Sequence, residues 1–434
     1  MSSPGRARAS DGVGVPTDSC AARDHRDTVA QDWAPQSAKA AARGRVGFVI
    51  AIAATVLTMV AASAPSPFYP QIASDLGLAP VATTFVFAVY AFTLLAALLC
   101  LGSLSDHVGR RAVISVGEML LAASLVAFWL AGDLAGLLLA RGLQGAAAGV
   151  LIPAMSAAVI DLEPPSRPGS AALWNTVGPM LGLAVGSLGS AVLLDIAADP
   201  GSAVFGGLAA ASASIALLVW ASPRAVPKEG VRLRDLRPQF EVPSRLRPLL
   251  AAAVPAIVAG WATNGLFLAL GAGLVRNELG GTSHTQAGIA ISALAASGIV
   301  ASRVLQRRSA RTISLYATAT LALGTGLSIG ALALHSYPAY VASVAVVGSG
   351  FGTAFLGVLR TLMPQTEPAE RAAVMAVVYT IAYLAFGVPT IVAGLLVPVL
   401  TLAGTMMTLG ALILILAVVA HVMRVRIPDQ HHAA

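Results

Sequence analysis

Asp106, His107, Arg110 and Arg111 crowd into one short stretch, "LGSLSDHVGRRAVISVG" at residues 101–117, in a chain where only 11% of residues are charged. A carboxylate here can bridge to Arg110 and also face the positive N-terminal end of a neighbouring helix, an attraction of about 0.3–1 kcal/mol when exposed. Such a contact, made in one conformation and broken in another, acts as a latch. Gly109 lets the backbone turn where a side chain would obstruct. Ser105, Asp106 and His107 are adjacent loop residues, not a nucleophile triad, because triad side chains converge from different directions. A second constellation is "ARGLQGAAAGVLIPA", in which Arg141 and Gln144 fall on one helical face. Glu118 stands alone in an apolar run.

The elements that hold these groups follow from composition. With 57% hydrophobic residues and a mean hydropathy of +0.80, the chain takes lipid as its main solvent. A helix needs roughly 20 apolar residues to cross a hydrocarbon core. Twelve such runs recur, near 47–65, 82–104, 111–131, 134–158, 170–194, 203–221, 248–275, 286–304, 312–334, 337–360, 371–396 and 402–424. They are too long for the strands of a membrane barrel, which are about 10 residues of alternating polarity. The expectation is an all-α polytopic membrane protein of twelve transmembrane helices.

Residues 1–45 are rich in Ser, Arg, Asp and Pro and read as a disordered cytoplasmic tail. The first run has no small-residue cleavage site behind a short apolar core and reads as an anchor that stays in the membrane. A proline-rich basic linker at 222–247 divides the bundle into six-helix halves at 46–221 and 248–424, with a short tail at 425–434. Halves of matched length are the usual build of secondary transporters. Of 27 Lys and Arg, all but Arg141 and Arg276 fall in segments on one side of an alternating twelve-span chain. By the positive-inside rule that side, with both termini, is cytoplasmic. The same distribution explains the net charge of +7 without a nucleic-acid partner. Cys20 and Cys100 suggest neither a disulfide nor a metal site.

Depth now gives the isolated polar groups their chemistry. Arg141 lies roughly 12 Å from the outer end of its span, counting about 1.5 Å per residue. There an arginine costs at least about 2.5 kcal/mol unless it finds an acid, a carbonyl or cavity water. Glu118 is the one acid clearly at membrane depth, and Asp195 reads as interfacial at the outer end of span 5. Gly178, Gly182 and Gly186, with Pro179 among them, favour close packing and a bend in span 5. Trp261, Asn264 and Phe267 in span 7, and Tyr379, Tyr383 and Phe386 in span 11, are read as sharing faces that would make a cavity amphipathic. Trp174 and Asn175 are weaker candidates of the same kind.

Gly102, Leu104, Asp106, Gly109, Arg110 and Arg111 resemble the loop signature G-x-L-x-D-x-x-G-R-R of the major facilitator superfamily, at the place where that family carries it, between spans 2 and 3. The resemblance covers about residues 47–424 and implies that Asp106 and Arg110 stabilise one side of an alternating-access cycle. Arg141, Gln144 and Gly145 resemble the span-4 pattern R-x-x-Q-G of proton-coupled exporters in that superfamily, where the arginine lines the central cavity and is linked to proton transfer. Gly178, Pro179 and Gly182 resemble the antiporter signature G-P-x-x-G-G, with Leu183 in place of the last glycine. Together these are similar to the twelve-span drug:proton antiporter branch. They imply a kinked helix sealing the halves against leak and Arg141 and Gln144 in proton coupling, while Glu118 joins them as a candidate by its depth alone, span 3 being peripheral in the family.

The chain carries no G-x-x-x-x-G-K-[ST] loop for a nucleotide phosphate and no H-E-x-x-H pair or Cys/His cluster for a metal. No constellation supports an enzyme, and no cofactor is called for. The reading is a monomeric, multi-pass protein of a bacterial cytoplasmic (inner) membrane. It would couple protons to efflux of small amphipathic or drug-like compounds, a multidrug-resistance type of activity. Uptake of a metabolite, and a receptor that binds without translocating, are the alternatives. The sidedness has a direct check. In a cysteine-free background, a cysteine placed within 222–247 should react only with cytoplasmic reagent and one at Thr282 only with external reagent, and the reverse pattern would overturn the topology.

Overall fold

A membrane interior offers backbone N–H and C=O groups no water, so each segment that crosses it must satisfy its own hydrogen bonds as a helix. The computed structural model describes residues 21–223, 242–367 and 370–426, with the backbone alone for 21–41 and Ala372. It contains no strand among them. The long helices are α1 (Ala21–Ser63), α3 (Pro80–Leu101), α5 (Arg110–Leu130), α6 (Leu134–Asp161), α7 (Ser170–Ile196) and α8 (Gly207–Leu218) in the first half. In the second half they are α9 (Arg247–Asn277), α10 (His284–Leu305), α11 (Ala310–Ala333), α12 (Tyr337–Leu362) and α13 (Arg371–Arg426). Short helices α2 (Tyr69–Asp75) and α4 (Leu104–Val108) fill two of the loops.

Helix ends follow local chemistry. The Asp133 carboxylate accepts from Gly136 N at the start of α6, and Ser283 forms a capping box with Gln286 at the start of α10. Between α4 and α5, Gly109 has φ 103°, a conformation that side chains disfavour, and this is the turn that reverses the chain. Within α13 the helix is broken at Thr401, with φ 64° and ψ 171°, so α13 is two membrane spans. With that division the long apolar helices number twelve among the described residues.

The tail departs from its expectation. Helical backbone already runs from Ala21, so the part of 1–45 from residue 21 onward is continuous with α1 rather than unstructured. That stretch holds eight alanines, and alanine is the strongest helix former. Residues 1–20 lie outside the described residues, as does 224–241 of the linker and 427–434 of the C-terminal tail. The linker's described ends are anchored: Arg111 Nε donates to the Pro223 carbonyl at 3.0 Å, and Arg245 Nη1 donates to Glu370 at 2.9 Å.

Within the first half, α6 packs on α3 and α5, and α1 packs on α6, α7 and α8. Within the second, α9 packs on α13, α10 on α12, and α11 on both α12 and α13. The halves meet along two seams, α7 against α10 and α3 against α13. The glycines of α7 do not form the seam. A Cβ on Gly182 would collide with the Val56 carbonyl and Met59, and one on Gly186 with Val60 and Ser63, so this face grips α1 of its own half. The seam side of α7 instead presents Ser187, Leu188 and Ala191 to Gly288 of α10, and Ser187 Oγ lies 3.0 Å from Ser292 Oγ. This corrects the expected seal: the small-residue stripe fixes α7 inside its half, and the α7–α10 seam is made instead by the Ser187–Ser292 pair and by Gly288 and Gly298 of α10 facing α7.

Candidate functional site

A large cavity, of about 860 Å³, lies between the halves. Its walls come from both: Thr55 and Met59 of α1, Phe87 and Tyr90 of α3, Pro153 and Met155 of α6, and Asn175 and Met180 of α7 face Trp261 and Asn264 of α9, Phe351 and Phe355 of α12, and Tyr379, Tyr383 and Phe386 of α13. The lining extends to Gly102, Ser103 and Ile160 at the end of the molecule that carries α4. Toward the other end it stops at Ala62, Leu183 and Leu268. The cavity is therefore open on the α4 side and closed on the opposite side.

Of the aromatic candidates, Trp261, Asn264, Tyr379, Tyr383 and Phe386 line this cavity, and Phe267 does not. Phe267 packs 5.9 Å from Tyr340 in the interior of the second half. The reason is helical geometry. A step of six residues from Trp261 turns about 120° away, whereas a step of seven returns to the same face, where Leu268 sits. Asn175 also lines the cavity, and its Nδ2 donates to the Ser156 carbonyl at 3.1 Å. Trp174 packs against the core beside it.

Arg141 has no exposed surface and does not line the cavity. Its Nε donates to the Tyr69 hydroxyl at 2.7 Å and Nη2 donates to the same oxygen. Nη1 donates to the Ala62 carbonyl at 3.2 Å and to Gln144 Oε1 at 2.5 Å, while Gln144 Nε2 donates to the Ala61 carbonyl at 2.8 Å. Ala61 and Ala62 are in the last turn of α1, whose terminal carbonyls lack helical partners and carry the negative end of the helix dipole. Arg141 and Gln144 thus cap α1 from α6. The guanidinium carbon also sits 5.4–5.6 Å from the ring centroids of Tyr69, Phe87, Tyr90 and Phe128. Rings of this kind attract a cation at their faces. Gly145 makes the arrangement possible, since a Cβ there would strike Thr93 and the Tyr90 carbonyl of α3.

Glu118 is not among the acceptors of Arg141. It is fully buried at the meeting of α1, α5 and α8, with Oε1 3.4 Å from Thr58 Oγ1 and Ser212 on the far side. Oε2 and Ser212 Oγ close no hydrogen bond. Thr58 also touches Met155, a wall residue of the cavity, so Glu118 lies one side chain behind that wall.

On the open side Arg110 pairs with Asp106, donates to Ser105 Oγ at 2.6 Å and to Asp161 Oδ2 at 3.1 Å at the end of α6. All three contacts stay within the first half. His107 Nδ1 lies 3.1 Å from the Ser103 carbonyl. On the closed side, which the sequence does not flag, Asp195 at the end of α7 accepts from the backbone N–H of His284 at 3.0 Å and of Thr285 at 2.8 Å, and from the Thr285 hydroxyl at 2.6 Å. His284 Nδ1 is 2.8 Å from the same carboxylate and its Nε2 is 3.4 Å from Arg276. A carboxylate of one half thereby caps the first turn of a helix of the other, and the N-terminal end of the dipole reinforces it.

Residues 51–363 match the Major Facilitator Superfamily. The puromycin resistance protein pur8 of Streptomyces alboniger is 30% identical over 147 residues, which is 33% of this chain and 29% of that protein. MdtD of Escherichia coli, provisionally named a multidrug resistance protein, is 32% identical over 123 residues, 27% of this chain and 26% of that protein. The chain thus spans less than a third of the length of either relative. A crystal structure of a bacterial homologue of the human lysosomal transporter Spinster, in an inward-facing and unoccupied conformation, shares the fold with a TM-score of 0.69 at 13% identity, over 88% of this chain and 97% of that one.

The cap on α1 predicts a stability effect. Tyr69→Phe keeps the ring but leaves two donors of Arg141 without their acceptor, which costs about 1–3 kcal/mol in a buried setting. The purified variant should melt several degrees below the parent, and an unchanged Tm would show that the hydroxyl is not an essential acceptor.

Proposed function

We infer, for a chain that belongs to the Major Facilitator Superfamily and is a membrane transporter, that it is a proton-coupled exporter of small amphipathic compounds working by alternating access. The observation that carries this reading is the cavity itself: one chamber between two halves, open on the α4 side and ending short of the side where Asp195 joins α7 to α10. By the distribution of basic residues the open side is cytoplasmic. The chamber is then loaded from the cytoplasm or the inner leaflet. The resemblances in spans 4 and 5, and relatives named for drug resistance, favour the export direction.

Energy is assigned to protons through Glu118. The Thr58 hydroxyl has one hydrogen, and its 2.9 Å contact to the Ala54 carbonyl uses it. Its longer 3.4 Å contact to Glu118 Oε1 is then a weak one, and Glu118 Oε2 has no partner. A neutral carboxyl suits this site, where no cation faces it and a bare carboxylate would be costly. Loss of that proton therefore disfavours the present packing of α1, α5 and α8 and biases the molecule toward its other conformation. Arg141 keeps its charge throughout and holds α1 to α6. Asp106 and Arg110 are free of the second half while the cytoplasmic side is open, and they are positioned to meet it on closure.

In liposomes containing the purified protein, an imposed pH gradient should drive accumulation of an uncharged fluorescent amphiphile such as pyrene-1-carboxamide. Glu118→Gln should retain exchange of the probe down its own gradient and lose the response to the pH gradient. A parent that ignores the gradient would remove proton coupling, and a variant that follows it as the parent does would remove Glu118 from the role.

A further inference from the structure

Glu118 lies near a second space besides the central cavity. At the α4 end of the first half is a chamber of about 200 Å³, where Ala51 of α1, Ile114 of α5, Ala158 of α6 and Val219, in the turn that ends α8, come together. A water needs only about 10–15 Å³, and Arg110, Arg111, Asp161 and Ser222 supply polar groups in this chamber's wall. Asp161, held by Arg110 Nε at 3.1 Å, is 46% exposed, so the wall meets solvent there. Of the described residues none lines both spaces. α6 turns Ser156 and Ile160 to the cavity and Ala158 and Asp161 to the chamber, and is the partition between them.

Helical register aims the chamber at Glu118. Residues three, four or seven apart share a helix face. Ile114 is one turn, about 5.4 Å, below Glu118 on α5. Ala51 is two turns below Thr58, Val219 two turns below Ser212, and Ala158 one turn below Met155. The faces that surround Glu118 thus continue into the chamber wall. What separates them is one layer: Ile114 itself with Ala54 and Ala216, which stand one turn below Thr58 and Ser212. Two of the three are alanines, so the layer is thin. Toward the central cavity the way is blocked differently. Met155 has no hydrogen to pass on, and the single hydrogen of Thr58 is held by the Ala54 carbonyl. Glu118 Oε2 and Ser212 Oγ close no hydrogen bond, and a water crossing the layer would find both.

We propose that this chamber, and not the central cavity, is the exit through which the proton of Glu118 reaches the cytoplasm. The proposal rests on the reading of Glu118 as the coupling residue. The proton passes to a water that transiently wets the layer of Ile114, Ala54 and Ala216, then to the waters of the chamber, and leaves past Asp161. No charged side chain stands between: Thr58, Met155 and Ser212 face Glu118 from α1, α6 and α8, and the charges at the chamber are Arg110, Arg111 and Asp161, with Asp106 paired to Arg110. Proton and amphiphile then use separate doors on the same side, and a substrate can load while the proton leaves.

The test follows the proton directly. The full chain in nanodiscs is taken from acid to alkaline pH in a rapid-mixing infrared cell, and the protonated carboxyl band that Glu118→Gln removes is followed as it decays. Ala51→Leu fills the chamber and should slow the decay at least about tenfold, whereas Ile114→Ala opens the layer above it and should hasten the decay by a similar factor. General loosening of the protein would move both variants the same way, so opposite shifts report the route. Met155→Ala, which opens the cavity side instead, should hasten the decay less than Ile114→Ala does. Chamber variants that fail to move in opposite directions, or a larger effect from Met155→Ala, would overturn the inference and leave Glu118 in its role. Absence of any band that Glu118→Gln removes would overturn both the inference and the reading of Glu118.

Discussion

A permanent guanidinium sealed from water with no carboxylate beside it is the constraint around which the first half is built. Arg141 cannot lose its proton, so its surroundings must supply acceptors and polarisable surface. They do so by tying α6 to one corner of the chain 72–79 residues earlier, the end of α1 through Ala62 and the start of α2 through Tyr69, with Gln144 of α6 itself bridging to Ala61. The aromatic rings that complete the cage have second duties. Phe87 and Tyr90 are also cavity wall, Phe87 stacks on Phe386 of the other half at 5.1 Å, and Phe128 stacks on Phe205 at 5.1 Å. A single buried charge thus ties the place where α1 stops to the central cavity and to one seam between the halves. Removing it would be felt in packing before it was felt in chemistry.

The second organising feature is an asymmetry between the two ends of the seams. On the closed side, contact is intimate: Gly394 of α13 sits against Thr84 and Val81 of α3, and Asp195 caps α10. On the α4 side Arg110 makes its contacts within the first half, to Ser105, Asp106 and Asp161. Closure on one side and self-contained contacts on the other are what a two-state hinge between rigid halves requires, since interactions that differ between states are the ones that set their balance. Asp195 is engaged across the halves, whereas the Asp106–Arg110 pair is engaged within one of them.

Much of this architecture is legible in the sequence because the physics is local. Length and hydropathy alone locate the spans, including the division near residue 401 that the structure shows as a kink at Thr401. The turn at Gly109 and the neighbouring Asp106 and Arg110 are legible for the same reason: all lie within a few residues of one another. Partners contributed by other helices are not. The depth of Arg141 announces that it needs acceptors, but nothing in its own span says that they are the end of α1 and Tyr69, a residue beyond the expected end of span 1. Glu118 is the obvious acid by depth, yet its direction on α5 turns it to Thr58 and Ser212. Phe267 illustrates a finer failure, a six-residue spacing taken for a shared face. The glycines of α7 are recognisable as a packing stripe, but which neighbour they grip is a property of the assembled bundle. Asp195 looks interfacial in sequence because the helix it caps begins 89 residues later.

The central claim is that this conformation is one of two, exchanged by rotating the halves about the cavity. It is tested most directly by double electron–electron resonance on two pairs of spin labels in a cysteine-free background. One pair, Ala197 with Thr282, spans the closed end, and the other, Val108 with Glu367, spans the open end. The account predicts two distance populations for each pair, shifting reciprocally with pH, so that the closed-end distance lengthens in the molecules whose open-end distance shortens. A single population at each pair, unchanged by pH and by a bound amphiphile, would contradict it.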